Sequence, residues 1–153
     1  MDKAKKFLEL TEEESETVPS GPFVPGSCFY LDFSFKGIRV DRVEPGLVVC
    51  IFKVPPRLTD RDGKLAKGAI ANMVDEVGAL LIHDESLPMS VSVDMSISYL
   101  STAQVDDELE ITSRLLGQKG GYSGTAVLIK NKATGEIIAE GRHSLFLKYN
   151  SKL

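Results

Sequence analysis

The sequence predicts an α+β fold: a curled antiparallel sheet of about six strands wrapped around one long central helix. Three observations predict it. Residues 68–82, from Gly68 to Ile82, are apolar on nearly every side yet too short and too polar to span a bilayer. Residues 89–99 alternate between apolar or aromatic odd positions and Ser or Asp even positions, as a half-covered strand does. Three further strand-like segments, 107–117, 122–131 and 136–148, follow across the turns Gln118-Lys-Gly-Gly121 and Lys132-Ala-Thr-Gly135. Short successive connections make neighbouring strands antiparallel, and one helix then has to cover the sheet's apolar face.

The elements read as follows from the N-terminus. Residues 1–20 hold a short amphipathic helix with Phe7, Leu8 and Leu10 on its apolar side, running into the acidic stretch Glu12–Glu16. Pro19, Gly21, Pro22, Pro25 and Gly26 mark an irregular connector. A strand pair is expected at about 36–43 and 46–54, turning at Glu44-Pro45-Gly46. The run Leu47–Phe52 is continuously apolar, as in a strand covered on both faces. Pro55-Pro56 ends that strand, and the charged loop 57–66 leads into the helix. The expected organisation is an extension over 1–27, one domain over 28–150 and a C-terminal tripeptide at 151–153.

Bulk composition narrows the function. A chain of 153 residues supports one domain with a real core. The net charge of −4 argues against a nucleic-acid or anionic-membrane partner, both of which favour a basic footprint. Cys28 and Cys50 have neither metal-ligand spacing nor a disulfide framework, and Cys50 sits in an apolar run, so two reduced thiols in a reducing compartment are expected. The first twenty residues lack the apolar stretch of a secretory signal. The terminal Ser151-Lys152-Leu153 matches the tripeptide read by the peroxisomal import receptor, so a peroxisomal address is expected, with the cytosol as the default if the tail is not read.

Asp75 is the most informative residue. At about 100° per residue, Ile70, Met73, Val74, Val77, Leu80 and Leu81 form the main stripe of the helix. Asp75 flanks that stripe on a row with Ala71, Gly78 and Ile82, so small neighbours leave an open slot beside its carboxylate. Glu76 is expected on the wet side with Asn72 and His83. A carboxylate at the edge of a core is costly unless it is paired or used in chemistry. Both readings, a salt-bridged structural aspartate and a working acid, stay open from this segment alone.

Several familiar chemistries are excluded. Gly121-Tyr-Ser-Gly-Thr125 fails the nucleophile-elbow pattern at its last position. Gly63-Lys-Leu-Ala-Lys-Gly68 has the spacing of a phosphate loop but continues Ala69-Ile70, without the lysine and hydroxyl such a loop needs. Two histidines, His83 and His143, supply metal catalysis or a histidine triad only thinly, and His143 reads as structural. A hydrolase on this chain has to rest on a carboxylate.

Three stretches carry a family resemblance. They are Thr59–Glu76, with Asp-Arg-Asp-Gly-Lys-Leu-Ala-Lys-Gly-Ala-Ile-Ala-Asn-Met-Val-Asp between its ends, Ser90-Val-Ser-Val-Asp-Met-Ser-Ile-Ser-Tyr-Leu-Ser-Thr-Ala103, and Asn131-Lys-Ala-Thr-Gly-Glu-Ile-Ile-Ala-Glu-Gly-Arg-His143. Together they resemble the hotdog-fold acyl-CoA thioesterases of the phenylacetate-pathway type, especially the eukaryotic thioesterase superfamily member 2 group, over roughly residues 35–148. The resemblance implies a thioester hydrolase without a metal or redox cofactor. In it Asp75 is general base or nucleophile, a backbone amide at Lys67 or Gly68 polarises the carbonyl, Ser92 helps position water, and Asp60 stands where the family usually has Asn. The competing readings are a turn-forming loop residue for Asp60 and a sheet-surface serine for Ser92, which faces opposite the apolar set of its strand. Candidate CoA-binding cations are Arg57, Arg61, Lys64, Lys119 and Arg142. The chain departs from the family's His-Gly-Gly with Ala66-Lys67-Gly68; the amide survives this, and Lys67 either points toward a CoA phosphate or narrows the pocket.

One constraint is geometric. Orphan amides at a helix start suit an oxyanion. Yet Lys67 and Asp75 are eight residues apart, about 12 Å along a helix, too far to meet at one thioester carbon. Each site is therefore expected to combine Asp75 of one chain with the helix start of its partner, across a two-fold dimer joined at strand 89–99. The resemblance further implies a dimer of dimers. The alternative function is a non-catalytic acyl-CoA-binding or regulatory hotdog protein, with Ala66-Lys67 marking lost activity. A hotdog hydratase would need a histidine beside the acid, and His83 is expected on the wrong side of the helix.

Overall fold

The long helix and the sheet form as the sequence pattern requires. The structure, a computed structural model, describes residues 29–82 and 90–147. The expected N-terminal helix and connector, Cys28, His83 and the terminal tripeptide lie outside the described residues. The chain divides into two compact units, residues 1–36 and 37–153. The described part of the first is one short helix, α1 (Phe29–Phe35).

The second unit contains β1 (Arg39–Glu44), β2 (Leu47–Lys53), α2 (Lys67–Ala79), β3 (Val91–Tyr99), β4 (Glu108–Lys119), β5 (Tyr122–Asn131) and β6 (Ile137–Phe146). All five neighbouring strand pairs are antiparallel, in the order β1-β2-β4-β5-β6-β3. The β1–β2 turn falls at Pro45-Gly46, with Gly46 at φ 74°, a conformation glycine adopts without steric penalty. Among the described residues no helix is long and apolar enough to cross a membrane.

The core lies between α2 and one face of the sheet. Ala69, Ile70, Met73, Val74, Val77 and Gly78 are the buried residues of α2. Opposite them, Leu109 and Ile111 of β4, Val127 and Ile129 of β5, and Ala139 and Leu145 of β6 are buried at period two. Leu47 to Phe52 are buried on both faces of β2, as their continuous apolar run predicts, and Cys50 is a free thiol there, pushed up by burial. The stripe differs at its end: Leu80 is 48% exposed, not buried. It begins a 3₁₀ turn, Leu80–Ile82, and shares a helical row with Glu76.

β3 corrects the expected half-covered strand. It is the last strand of the sheet and is exposed along nearly its whole length, with Val91 at 58%, Val93 at 54% and Leu100, just beyond it, at 59%. Its faultless alternation also conceals a bulge. Ser92 pairs with Leu145 and Met95 with His143, so the register shifts between Ser92 and Asp94. Directly opposed residues share a face, and one inserted residue reverses the faces beyond it. Ser92 therefore lies on the helix side together with Met95, Ile97 and Tyr99, not opposite them.

Helix and sheet approach closely because β6 carries a glycine. A Cβ added at Gly141 would lie 2.5 Å from Val74 Cγ1 and 2.7 Å from Cγ2, and Val74 is fully buried with nowhere to move. Gly141→Ala is expected to lower stability by about 1–3 kcal/mol through overpacking; a urea midpoint unchanged from wild type would refute this packing.

Candidate active site

The helix and two strands, α2, β3 and β6, bring the Asp75 carboxylate to the wall of a cavity. α2 carries Asp75 with Glu76 next to it, and the row one turn later carries Ala79 and Leu80. β3 brings Ser92, with Ser90 just before it, and β6 brings Leu145. These seven residues line a cavity of about 380 Å³. The Asp75 side chain is 40% exposed.

One oxygen of Asp75 carries two contacts. Ser92 Oγ donates to Asp75 Oδ1 at 2.7 Å. His143 Nε2 of β6 stands 3.1 Å from the same Oδ1, with its ring completely buried. The two atoms are at ion-pair distance without hydrogen-bond alignment, and neither ring nitrogen has a hydrogen-bond partner among the described residues. Burial pushes the His143 imidazole down, and this outweighs the opposing pull of the Asp75 charge, so the ring is neutral at pH 7. Beside an anion, a neutral ring is more stable with its proton on Nε2, facing the carboxylate, than with a lone pair there. No described residue bonds the other Asp75 oxygen, Oδ2.

Gly78 makes this contact possible. A Cβ on Gly78 would stand 3.0 Å from both His143 Nδ1 and Thr125 Oγ1. The slot beside Asp75 that the small residues were expected to leave open is filled from the sheet on the Gly78 side. Glu76 also differs from expectation: it is half-buried and lines the cavity with Asp75. Burial first, then the Asp75 charge, raises its carboxyl above the usual range.

Most of the other expected residues, Lys67, Gly68, Asp60, Arg57, Arg61 and Lys64, gather at the opposite end of α2. The helix begins without a side-chain cap; the Ala69 and Ile70 amides bond to Ala66 O, and those of Lys67 and Gly68 find no acceptor among the described residues. Lys67 Nζ sits 5.5 Å from the Tyr99 ring centroid, over β3. Asp60 organises the preceding loop, its Oδ1 accepting the Asp62 and Lys64 amides at 2.9 Å each. That loop is tied to the helix start by the Ala66 amide bonding to Leu58 O, which brings Arg57, Arg61 and Lys64 to the same end. Lys119 closes β4 at a hairpin. Arg142 pairs with Glu140 at 3.5 Å and lies one residue from His143, on the opposite face of the sheet. The structure therefore brings Ser92 to Asp75 within one chain and leaves Lys67, Gly68 and Asp60 apart from it, while Lys119 and Arg142 belong to neither group. Among the described residues no cluster of three or more His, Cys, Asp or Glu side chains is placed to hold a metal.

A long helix clasped by an antiparallel sheet, presenting an acid to a cavity at the sheet's edge, defines the hotdog class. The chain belongs to the Thioesterase superfamily, whose sequence signature matches residues 62–138. Acyl-coenzyme A thioesterase 13 of Homo sapiens is 41% identical over 105 residues, covering 67% of this chain and 74% of that protein. Thioesterase superfamily member 2 from Mus musculus superposes with a TM-score of 0.71 at 32% identity, covering 78% of this chain and 89% of the other. The zebra fish thioesterase superfamily member 2 gives 0.72 at 31% identity, covering 92% and 100%.

The buried His143 predicts an acid sensitivity. Its folded pKa lies below its unfolded value of about 6.5, so the unfolded chain binds the extra proton first. Its contribution is complete above that value and is lost as pH falls through the folded pKa. Stability measured by urea unfolding should decline below about pH 6.5 more steeply in wild type than in His143→Asn. Parallel pH profiles would show that His143 is not held neutral.

Proposed function

We propose that this chain is an acyl-CoA thioesterase, converting a fatty or aromatic acyl-CoA and water into the free acid and CoA. The observation that carries this reading is the Asp75 carboxylate, anchored through Oδ1 by Ser92 with His143 3.1 Å from the same oxygen, at the wall of a cavity. The relatives' names and the family membership support the activity.

With Oδ1 engaged, Oδ2 is the oxygen left for chemistry. It takes a proton from water as the water oxygen bonds to the thioester carbon. The tetrahedral intermediate then expels the CoA sulfur, and the proton passes from Asp75 to the thiolate. Direct attack by Oδ2, followed by hydrolysis of the anhydride, uses the same geometry. The developing oxyanion needs donors, and the Lys67 and Gly68 amides are suited to it by position and helix dipole.

Those amides belong to a second copy of the chain. The β1 edge is short and charged at Arg39, Asp41, Arg42 and Glu44, features that discourage pairing; β3 is longer and carries one charged residue, Asp94. Pairing at β3 across a two-fold axis sets the partner's helix start against Asp75, and a dimer of dimers follows the same proposal. Arg57, Arg61 and Lys64 beside that helix start are the proposed CoA-phosphate contacts.

Thiol release from an acyl-CoA panel tests the reading. Asp75→Asn is expected to lower kcat at least about 1,000-fold and Ser92→Ala about 10- to 100-fold. Tight acyl-CoA binding with no thiol release from the wild type would instead support a non-catalytic binding protein. Lys67→Pro removes one helix-start amide at a position that accepts proline, since Ala66 is already extended at φ −65° and ψ 139°. Co-expressing the inactive Asp75→Asn and Lys67→Pro chains should restore about a quarter of wild-type activity, because half the dimers then hold one intact composite site. No recovery would refute a site shared between chains.

The proposed address is the peroxisome, on the strength of Ser151-Lys152-Leu153. A reporter ending in this tail should be punctate and become diffuse when Leu153 is deleted. Punctate staining without Leu153 would end that proposal.

A further inference from the structure

Glu76 has no structural account. It is half-buried, stands beside a second carboxylate, and has no ion pair or hydrogen bond among the described residues. Burial and the like charge next to it both act against the ionised form, so the fold gains nothing from an acid at this position. Its side chain nonetheless lines the cavity that holds Asp75, Ser90 and Ser92.

The reaction changes the charge of what occupies that cavity. A thioester is neutral at the reacting carbon, whereas the acid released from it carries a full negative charge there. Among the described residues no Lys or Arg lines the cavity, and the His143 ring behind Asp75 is neutral. The wall that these described residues contribute therefore tolerates the uncharged thioester and repels the charged product. Asp75 is needed for hydrolysis; Glu76 adds a second negative group that the hydrolytic step does not require.

We propose that Glu76 is a specificity-determining residue, which makes the site discriminate against the free carboxylic acid it releases in favour of the uncharged thioester. This rests on the reading of the Asp75 cavity as the hydrolytic site. Two unit charges a few ångströms apart at a partly solvated surface repel enough to weaken binding about three- to tenfold. Such discrimination keeps the site open to acyl-CoA when the free acid accumulates.

The test compares competitive inhibition by two probes, the free acid and the primary amide of the acyl group turned over fastest in the panel. The two have nearly the same shape and differ in charge. Assays at about pH 8 lie well above the ordinary carboxylate range. In Glu76→Gln the acid should inhibit about three- to tenfold more tightly relative to the amide, whereas Glu76→Asp, which keeps the charge, should hold the wild-type ratio. An acid-to-amide ratio unchanged in Glu76→Gln overturns the proposal, and so does an equal shift for both probes, which marks a steric role. A fall in kcat with the ratio unmoved assigns Glu76 to proton transfer and also overturns it. Turnover surviving in Asp75→Asn would sink the hydrolytic reading itself. Loss of turnover there, without an acid-specific shift in Glu76→Gln, sinks only the role of Glu76.

Discussion

The contact of Ser92 and His143 with a single oxygen of Asp75 is the constraint around which this part of the molecule is arranged. A carboxylic side chain at the edge of an apolar core needs polar partners that leave it available for chemistry. A cation would lock it into an ion pair, and a fully dry pocket would force it to accept a proton. A hydroxyl donor and a neutral imidazole avoid both outcomes. Several unusual features follow from the need to assemble this contact. Gly78 leaves room for the imidazole, Gly141 lets β6 approach the helix at Val74, and the bulge in β3 turns Ser92 toward the carboxylate.

The two ends of α2 have different chemistry. Among the described residues, the start presents amides without acceptors and a loop carrying Arg57, Arg61 and Lys64; the end presents Asp75, Glu76 and an open cavity without a lysine or arginine. A rigid helix holds these ends apart, so they act on one substrate only if a symmetric neighbour supplies the missing half. The exposed β3 edge gives that neighbour a place to pair. In the proposed dimer the cationic end would meet the CoA phosphates and the developing oxyanion, and the anionic end water and the acid product.

Much of this was legible in the chain. The helix, all six strands and the turn at Pro45-Gly46 followed from periodicity and turn residues, because burial on one face imposes its period directly on the sequence. Asp75 was legible as a conflict between an acid and its apolar surroundings. Ser92 was read on the wrong face, since a bulge adds a residue without disturbing the alternation of residue types. The sequence reading of His143 as structural does not reveal its contact with Asp75, although the odd positions 139, 141, 143 and 145 of β6 share the helix side. That parity was the available signal; what the ring would touch depended on which strand lay under Asp75. Glu76 was sent to solvent by the helical wheel alone, which does not show where the sheet stops.

By itself the sequence determined which segments are helix and strand, that one face of the sheet meets one helix, and that an acid sits at the margin of that contact. These are consequences of short-range order, where each residue's environment repeats with the element's own period. Only the tertiary structure decided the strand order that carries β3 to the outer edge beside β6, the bulge that aims Ser92, and the approach of His143 through the gap at Gly78. Each depends on backbone pairing and close packing between segments distant in the chain, and the distances involved are set by those neighbours, not by either segment alone.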